Sequence, residues 1–417
     1  MERTLRLLGP FRQVLPLSRV PLRGAWRDEQ LELIQEGGLL MKGERLEAVG
    51  PFDKLYRTYR SDQLEVVRLD EPLVALPGLI DAHTHLCFAG SRARDFAARN
   101  NGKSYLEIAA AGGGIWSTVQ HTRNASQAQL EALLLPRLET LLASGITTVE
   151  VKSGYGLRVD EECKMLRAIQ SVGQAQPCDV LATCLAAHMV PRDFDGTESM
   201  YLDHLLEALV PLVRKESLAQ RFDIFIEKSA FSPAAATAYL RALKERGFDL
   251  CVHGDQFTVG GSAVAIACGA RSVDHLEVSG EKEIEALAQS TVVPVALPGA
   301  SIGLGCAFTP ARRLLDRGAS LAIASDWNPG SAPQGQLLAQ AAILSCYEKL
   351  SAAEVWAGLT CRAAAALGRN DRGRLSEGLL ADIVAFPTAD YREILYHQGS
   401  MQAARVWKRG REVNFSS

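Results

Sequence analysis

The chain of 417 residues carries 45 Lys and Arg against 48 Asp and Glu, a net charge of -3, and is 47% hydrophobic. That is the balance of an ordinary globular protein, with one large domain and a smaller one as the expected arrangement. It gives no basic surplus for nucleic acid or an anionic membrane, and nine scattered cysteines, none in a CxxC pair, fit reduced thiols rather than a disulfide framework.

The first residues, MERTLRLLGPFRQVLPL, are apolar only in short pieces broken by Arg and Pro. They lack a signal-peptide core, and no apolar run is long enough to span a bilayer, so a cytoplasmic protein is expected. Residues 1–72 hold short segments with turn signals, such as IQEGGLLMKGERLEAVGP, and read as part of a small β domain. From 73 to 370, strand-like runs alternate with helical stretches. The strands are expected at 73–83, 147–154, 180–188, 222–227, 249–254, 271–277, 291–298 and 320–327. The helical stretch SPAAATAYLRALKERG opens on a Ser cap and a first-turn Pro and ends in Gly. Alternation of this kind implies an α/β fold with a parallel sheet, and eight units suit a closed (β/α)8 TIM-like barrel. An open doubly wound sheet is the alternative, but no GxGxxG follows the first strand. Residues 371–417 return to short β segments, so a small β-sandwich domain built from both chain ends is expected.

In such a barrel, reactive side chains gather at the C-terminal ends of the strands. DAHTHL places His83 and His85 at the end of the first strand, where alternation puts both on one side. His188 ends the third strand, His253 the fifth, His275 the sixth and Asp326 the eighth. One such histidine is most often a hydrogen-bonded structural residue; five with an aspartate at one rim point to a metal. His83, His85, His253 and Asp326 make a reasonable ligand set for zinc or ferrous iron. His275 is placed to hydrogen-bond an attacking water or polarise a carbonyl, and Asp326 to ligate and pass a proton. His121, His204 and His397 fall in helical or flanking segments and read as surface residues. Cys87 and Cys251 stand near the site, and Cys251 reads as an apolar barrel residue.

Several stretches carry a family resemblance: FAGSRARDF (88–96), AAAGGGIWSTVQHTR (109–123), TTVEVKSGYGL (147–157), KMLRAI (164–169), AAHMVPRDF (186–194), VDHLE (273–277) and SDWNPGSAP (325–333). Together with the rim histidines they resemble the imidazolonepropionase family of the amidohydrolase superfamily, and GRLSEGLLADIVAF resembles that family's small β domain. The resemblance implies hydrolysis of the ring amide of 4-imidazolone-5-propanoate to N-formimino-L-glutamate by a metal-bound hydroxide, with Asp326 or His275 returning the proton. It implies one divalent metal, zinc or iron, a small-molecule substrate and a homodimer. By position, Arg92 matches a residue that binds the propionate. Tyr155, His188, Gln256, Asn328, Gly330 and Ser331 match substrate-binding positions. Some members carry Glu where this chain has Gln256; a Gln cannot take a proton, so it is read as binding the ring. Lys152 is read as a residue supporting the site or its loop rather than as a metal bridge. The rivals are another mononuclear amidohydrolase, such as an aromatic-base deaminase or a formiminoglutamate deiminase, and a catalytically dead relative, which should have lost ligands.

Overall fold

The computed structural model describes residues 5–103, 107 and 111–415. Ala109 and Ala110, which open one of the motifs above, lie outside them. Two eight-stranded sheets organise the molecule. The first holds β1 (Leu5–Val14), β2 (Ile34–Lys42), β3 (Arg45–Pro51), β4 (Leu64–Arg68) and β5 (Val74–Pro77) from the N-terminal part of the chain. From the C-terminal part it takes β14 (Ile383–Phe386), β15 (Arg405–Lys408) and β16 (Arg411–Glu412). The second holds β6 (Leu79–Asp81), β7 (Ile146–Lys152), β8 (Asp179–Ala187), β9 (Arg221–Ile226), β10 (Asp249–Gly254), β11 (Ser272–His275), β12 (Val293–Ala296) and β13 (Ala322–Ile323). These run in sequence order, each parallel to the next.

β13 and β6 stand at the two ends of that parallel sheet, and the chain just beyond them closes it. Asp326 N donates to His83 O at 3.0 Å and His85 N to Trp327 O at 2.9 Å. Ser325 N donates to a carboxylate oxygen of Asp81 at 3.0 Å. The seam of the barrel is therefore made by the segments that carry His83, His85 and Asp326. Outer helices bury apolar faces against the strands, among them Gln127–Ala143, Val159–Ala175 and Pro233–Glu245. The last opens as expected, with Pro233 in its first turn and Ser232 Oγ accepting from Ala235 N at 3.3 Å.

The run expected as one strand over 73–83 is two. β5 pairs antiparallel with β14 in the small sheet, while β6 starts the barrel. Gly78 is the joint: its N–H donates to Asp382 O at 2.8 Å, and a Cβ there would run into Thr147. Both halves are fully buried and apolar up to Asp81, so hydrophobicity alone carries no sign of the break.

The small sheet is continuous in its hydrogen bonding because β1 is shared. Its first half takes β4 and its second half β5, with a register shift between Leu8 and Phe11 along β2. The two halves pack on a common core in which Phe11 meets the Trp407 ring edge-on at 6.0 Å. This is sandwich packing from one bent sheet.

Ion pairs tie the two sheets together. Asp179, the first residue of β8, faces Lys408 Nζ at 2.9 Å, Arg409 at 3.1 Å and Arg372. Burial alone would raise the Asp179 carboxyl, but Lys408 and Arg372 outweigh it and bring it down to about 2. A depressed folded-state value stabilises the fold fully above the ordinary 3.8, and this contribution disappears as pH falls through about 2. Asp179→Asn is therefore expected to cost about 2 kcal/mol at neutral pH. Denaturant titrations at pH 7 and pH 2.5 check this: the gap between variant and parent should shrink at the lower pH, and an equal gap at both would mean that the charge is not the cause.

Candidate metal centre and substrate pocket

The ends of β6, β10 and the chain after β13 bring four side chains to one point. The Nε2 atoms of His83 and His85 are 3.2 Å apart, and those of His85 and His253 3.3 Å. Asp326 Oδ1 lies 3.6 Å from His83 Nε2 and 3.5 Å from His85 Nε2. All four side chains are buried. The far nitrogens of two rings are held: His83 Nδ1 donates to Asp274 at 2.6 Å and His253 Nδ1 faces Asp223 at 2.9 Å. A neutral imidazole held in this way presents its Nε2 lone pair to the cluster. Burial pushes His83 and His85 well below the usual imidazole range and His253 to about 3, so the rings are neutral. Lone pairs facing one another beside a carboxylate oxygen, in a buried space, form the donor set of a divalent cation.

Beneath them the barrel interior is charged. Lys152 Nζ lies 2.7 Å from Glu150, 2.8 Å from Asp223 and 3.7 Å from Asp274. Arg221 faces the other oxygen of Glu150 at 3.4 Å, and Thr183 donates to Glu150. Burial opposes the charge on Lys152, but Asp223, Cys251, Glu150 and Asp274 outweigh it and hold its pKa well above the ordinary range. Asp223, His253 and Asp274 also approach one another closely enough to form a donor group. There the Lys152 ammonium already stands against Asp223. Lys152 thus supports the two carboxylates that aim His83 and His253. Cys251, expected among apolar neighbours, is buried against that ammonium at 3.7 Å.

The rim above is shaped by strained backbone. Asp255, His275, Leu276 and Asp326 all have φ between 52° and 87°, conformations that cost on the order of 1–3 kcal/mol each for such residues. His275 Nδ1 faces Glu277 Oε1 at 3.3 Å, its ring centre is 5.5 Å from that of His253, and Thr309 donates to its carbonyl. Burial would lower the imidazole, but the Glu277 carboxylate outweighs it and raises the pKa. Burial pushes Asp326 up to about 6. Tyr155 and His188 are buried beside His85, with ring centres at 5.9 Å and 5.6 Å from it, and Gly154 O accepts from His188 Nδ1 at 3.0 Å. Gln256 is buried on the loop after β10, with no hydrogen bond to its amide among the described residues.

The loop after Asp326 is organised by Asn328. Its amide donates to Asp326 O at 2.7 Å and Ser331 Oγ at 2.9 Å, and accepts from Gly330 N at 2.7 Å and Ser331 N at 2.8 Å. Ser331 Oγ donates to Asp326 Oδ2 at 3.3 Å. These groups, expected on sequence to face a ligand, here satisfy one another and steady Asp326. Arg92 packs over Gly330 so closely that a Cβ there would strike its guanidinium, and its Nε donates to Asp95 at 2.8 Å. His121, His204 and His397 are exposed, as expected of surface residues.

Sequence reasoning passed over Glu150, Asp223, Asp274 and Arg99. The signal for the first three was present: each is a carboxylate within a barrel strand, where an unpaired buried charge is costly. Arg99 lies on the short helix Ala93–Asn100, amphipathic in no obvious way, and donates to Gly330 O at 3.3 Å.

The pattern of the amidohydrolase family matches residues 74–413. The imidazolonepropionase of Symbiobacterium thermophilum is 40% identical over 405 residues, covering 96% of this chain and 95% of its own. That of Myxococcus xanthus is 44% identical, covering 80% of each chain. The chain belongs to the imidazolonepropionases of the amidohydrolase family. Solved amidohydrolase folds agree with the architecture. A triazine hydrolase variant superposes with a TM-score of 0.71 at 18% identity, covering 98% of this chain and 94% of its own. An adenosine deaminase from Xanthomonas campestris with bound zinc gives 0.70 at 18% identity, covering 98% and 92%. The floor of this chain's site carries several buried charges around Lys152. Lys152→Met is expected to leave Asp223 and Asp274 without their cationic partner and to cost about 3–5 kcal/mol of stability. Thermal and denaturant unfolding read this out; a variant as stable as the parent would show that the ammonium does not balance those carboxylates.

Proposed function

We infer that this chain hydrolyses the ring carbon–nitrogen bond of 4-imidazolone-5-propanoate to N-formimino-L-glutamate, a step of histidine degradation. It is a hydrolase acting on a cyclic amide. What carries the reading is the 40% identity to an imidazolonepropionase along 96% of the chain, joined to a His/Asp cluster flanked by the guanidinium of Arg92 across one loop. His83, His85, His253 and Asp326 would hold one divalent cation, zinc or iron. Zinc is supported by the bound zinc of the deaminase neighbour. When bound, the cation supplies Lewis acidity, lowering the pKa of a water and polarising the ring carbonyl.

The chain's own residues do the rest. Asp326, steadied by Ser331 and by the Asn328-built loop, is the acceptor for the proton of the attacking water. His275, kept protonatable by Glu277, stabilises the developing oxyanion, and Asp326 passes the proton it has taken to the leaving ring nitrogen. Tyr155 and His188 form the wall against which the flat ring lies, and the free amide of Gln256 donates to and accepts from it. Arg92 takes the propionate, for which a planar guanidinium is suited. Gly330 keeps the loop thin enough for that side chain to lie over it. We also read the enzyme as cytoplasmic, supported by its free cysteines, and as a homodimer, on the family resemblance. Among the described residues no helix is long and apolar enough to cross a membrane.

The deciding experiment generates the imidazolone in place from urocanate with urocanase. Its ultraviolet loss is followed with and without this protein, before and after chelation, and the product is identified by mass. Chelator-sensitive formation of formiminoglutamate, restored by Zn²⁺ or Fe²⁺, is expected. No acceleration by metal-replete protein would move the substrate to another cyclic amide or an aromatic amine. Asp326→Ala is expected to lower kcat by at least about a thousandfold, since it removes both a ligand and a proton carrier; activity near that of the parent would reject the assigned site. Arg92→Ala should raise KM by about ten- to a hundredfold with a smaller change in kcat, and an unchanged KM would place the propionate elsewhere.

A further inference from the structure

Two arginines of one short stretch, with an aspartate between them in sequence, meet the loop Asp326–Ser331 at Gly330. Arg92 caps the helix Ala93–Asn100, Asp95 lies in its first turn and Arg99 near its end. The spacing puts them on one face. Arg92 is already matched: its Nε donates to Asp95 Oδ2 at 2.8 Å, and the same oxygen accepts Gly114 N at 2.8 Å. Arg99 is not. Among the described residues its Nη2 reaches only the carbonyl of Gly330, at 3.3 Å, and its Nε is buried without a partner. Among the described residues no carboxylate forms an ion pair with it. Burial and the nearby charge of Arg92 work against the charge on Arg99, and Asp95 offsets them only in part. Two guanidiniums therefore converge on Gly330 with one carboxylate, Asp95, beside them, and this group of three carries a net positive charge.

We propose that Arg99 is a specificity-determining residue whose unpaired guanidinium supplies the net positive charge that binds the carboxylate of the substrate's propionate arm, with Arg92 as its Asp95-neutralised geometric partner. The proposal rests on the reaction inferred above for the identity of the arm. Its chemistry is general: a monocarboxylate on a short chain, attached to a small planar ring, completes the charge balance and occupies the orphaned Nε. A neutral arm would leave that donor buried and unmatched, so discrimination between the two is large.

The test uses two stable probes, an imidazole bearing a propionate arm and its neutral propyl counterpart, with binding to metal-replete protein measured by calorimetry. Parent protein should bind the anionic probe and discriminate against the neutral one. Arg99→Ala should weaken the anionic probe by about ten- to a hundredfold, leave the neutral probe unchanged, and raise KM for the imidazolone by a similar factor. Arg99→Lys, which keeps the charge without the planar fork, should recover part of the loss. Anionic-probe affinity and KM unchanged in Arg99→Ala would overturn the proposal while leaving the reaction intact, as would a parent protein that binds neither probe. A parent that binds the anionic probe through Arg99 yet fails to hydrolyse the imidazolone would support the carboxylate site and sink the reaction.

Discussion

One ammonium group sits where an apolar core would ordinarily be. Lys152 Nζ lies between Glu150 and Asp223, with Asp274 just beyond, and all four side chains are fully buried. Burying a carboxylate alone is prohibitive, and burying two that must each face an imidazole is more so. The lysine makes the arrangement tolerable, and the carboxylates in turn determine which nitrogen of His83 and of His253 carries the proton. Ring orientation, lone-pair direction and the convergence of three Nε2 atoms follow from a charge that never touches the reacting molecule. The cluster also explains why β7 carries Glu and Lys at alternate positions in a fully buried strand: both project into the barrel, and each requires the other.

The upper half of the site depends on how the barrel closes. Hydrogen bonds from Asp326 N to His83 O and from His85 N to Trp327 O join the ends of the first and last barrel strands. Closure and assembly of the donor cluster are thus one geometric event. The strained conformations at His275, Leu276 and Asp326 are held by tertiary bonds around them, including Thr309 to the His275 carbonyl and the Asn328 network. A rim over-determined in this way presents fixed dipoles to a substrate, so little reorganisation remains for the reaction itself.

Much of this was legible in the chain before folding. The alternation of strand and helix pointed to the barrel, and histidines recurring at strand ends pointed to one rim; His83, His85, His253 and Asp326 do converge there. The supporting charges were harder to see. Asp274 and Asp223 stand in VDHLE and FDIFIE, where an acidic residue is easily taken for a strand end facing solvent, and only the tertiary partner Lys152 shows otherwise. The break at Gly78 was invisible because both flanking strands are buried and apolar, and hydrophobicity does not report which sheet a strand joins. Asn328 illustrates a different limit. Its residue type suits a ligand contact and a loop clamp equally, and the four hydrogen bonds of its amide show the clamp.

The split at Gly78 has a consequence for how the chain matures. β5 ends where the barrel begins, yet one of its edges pairs with β14, more than three hundred residues later. During synthesis that edge stays open while every barrel strand emerges from the ribosome, for the strand that covers it ends at Phe386. An uncovered apolar edge invites pairing with other chains. The small sheet therefore acts as a late fastener: β5, the strand that leads into the barrel, is covered on this edge only once the C-terminal segment has left the exit tunnel, and nascent chains stalled before that point carry a sticky edge that finished molecules do not.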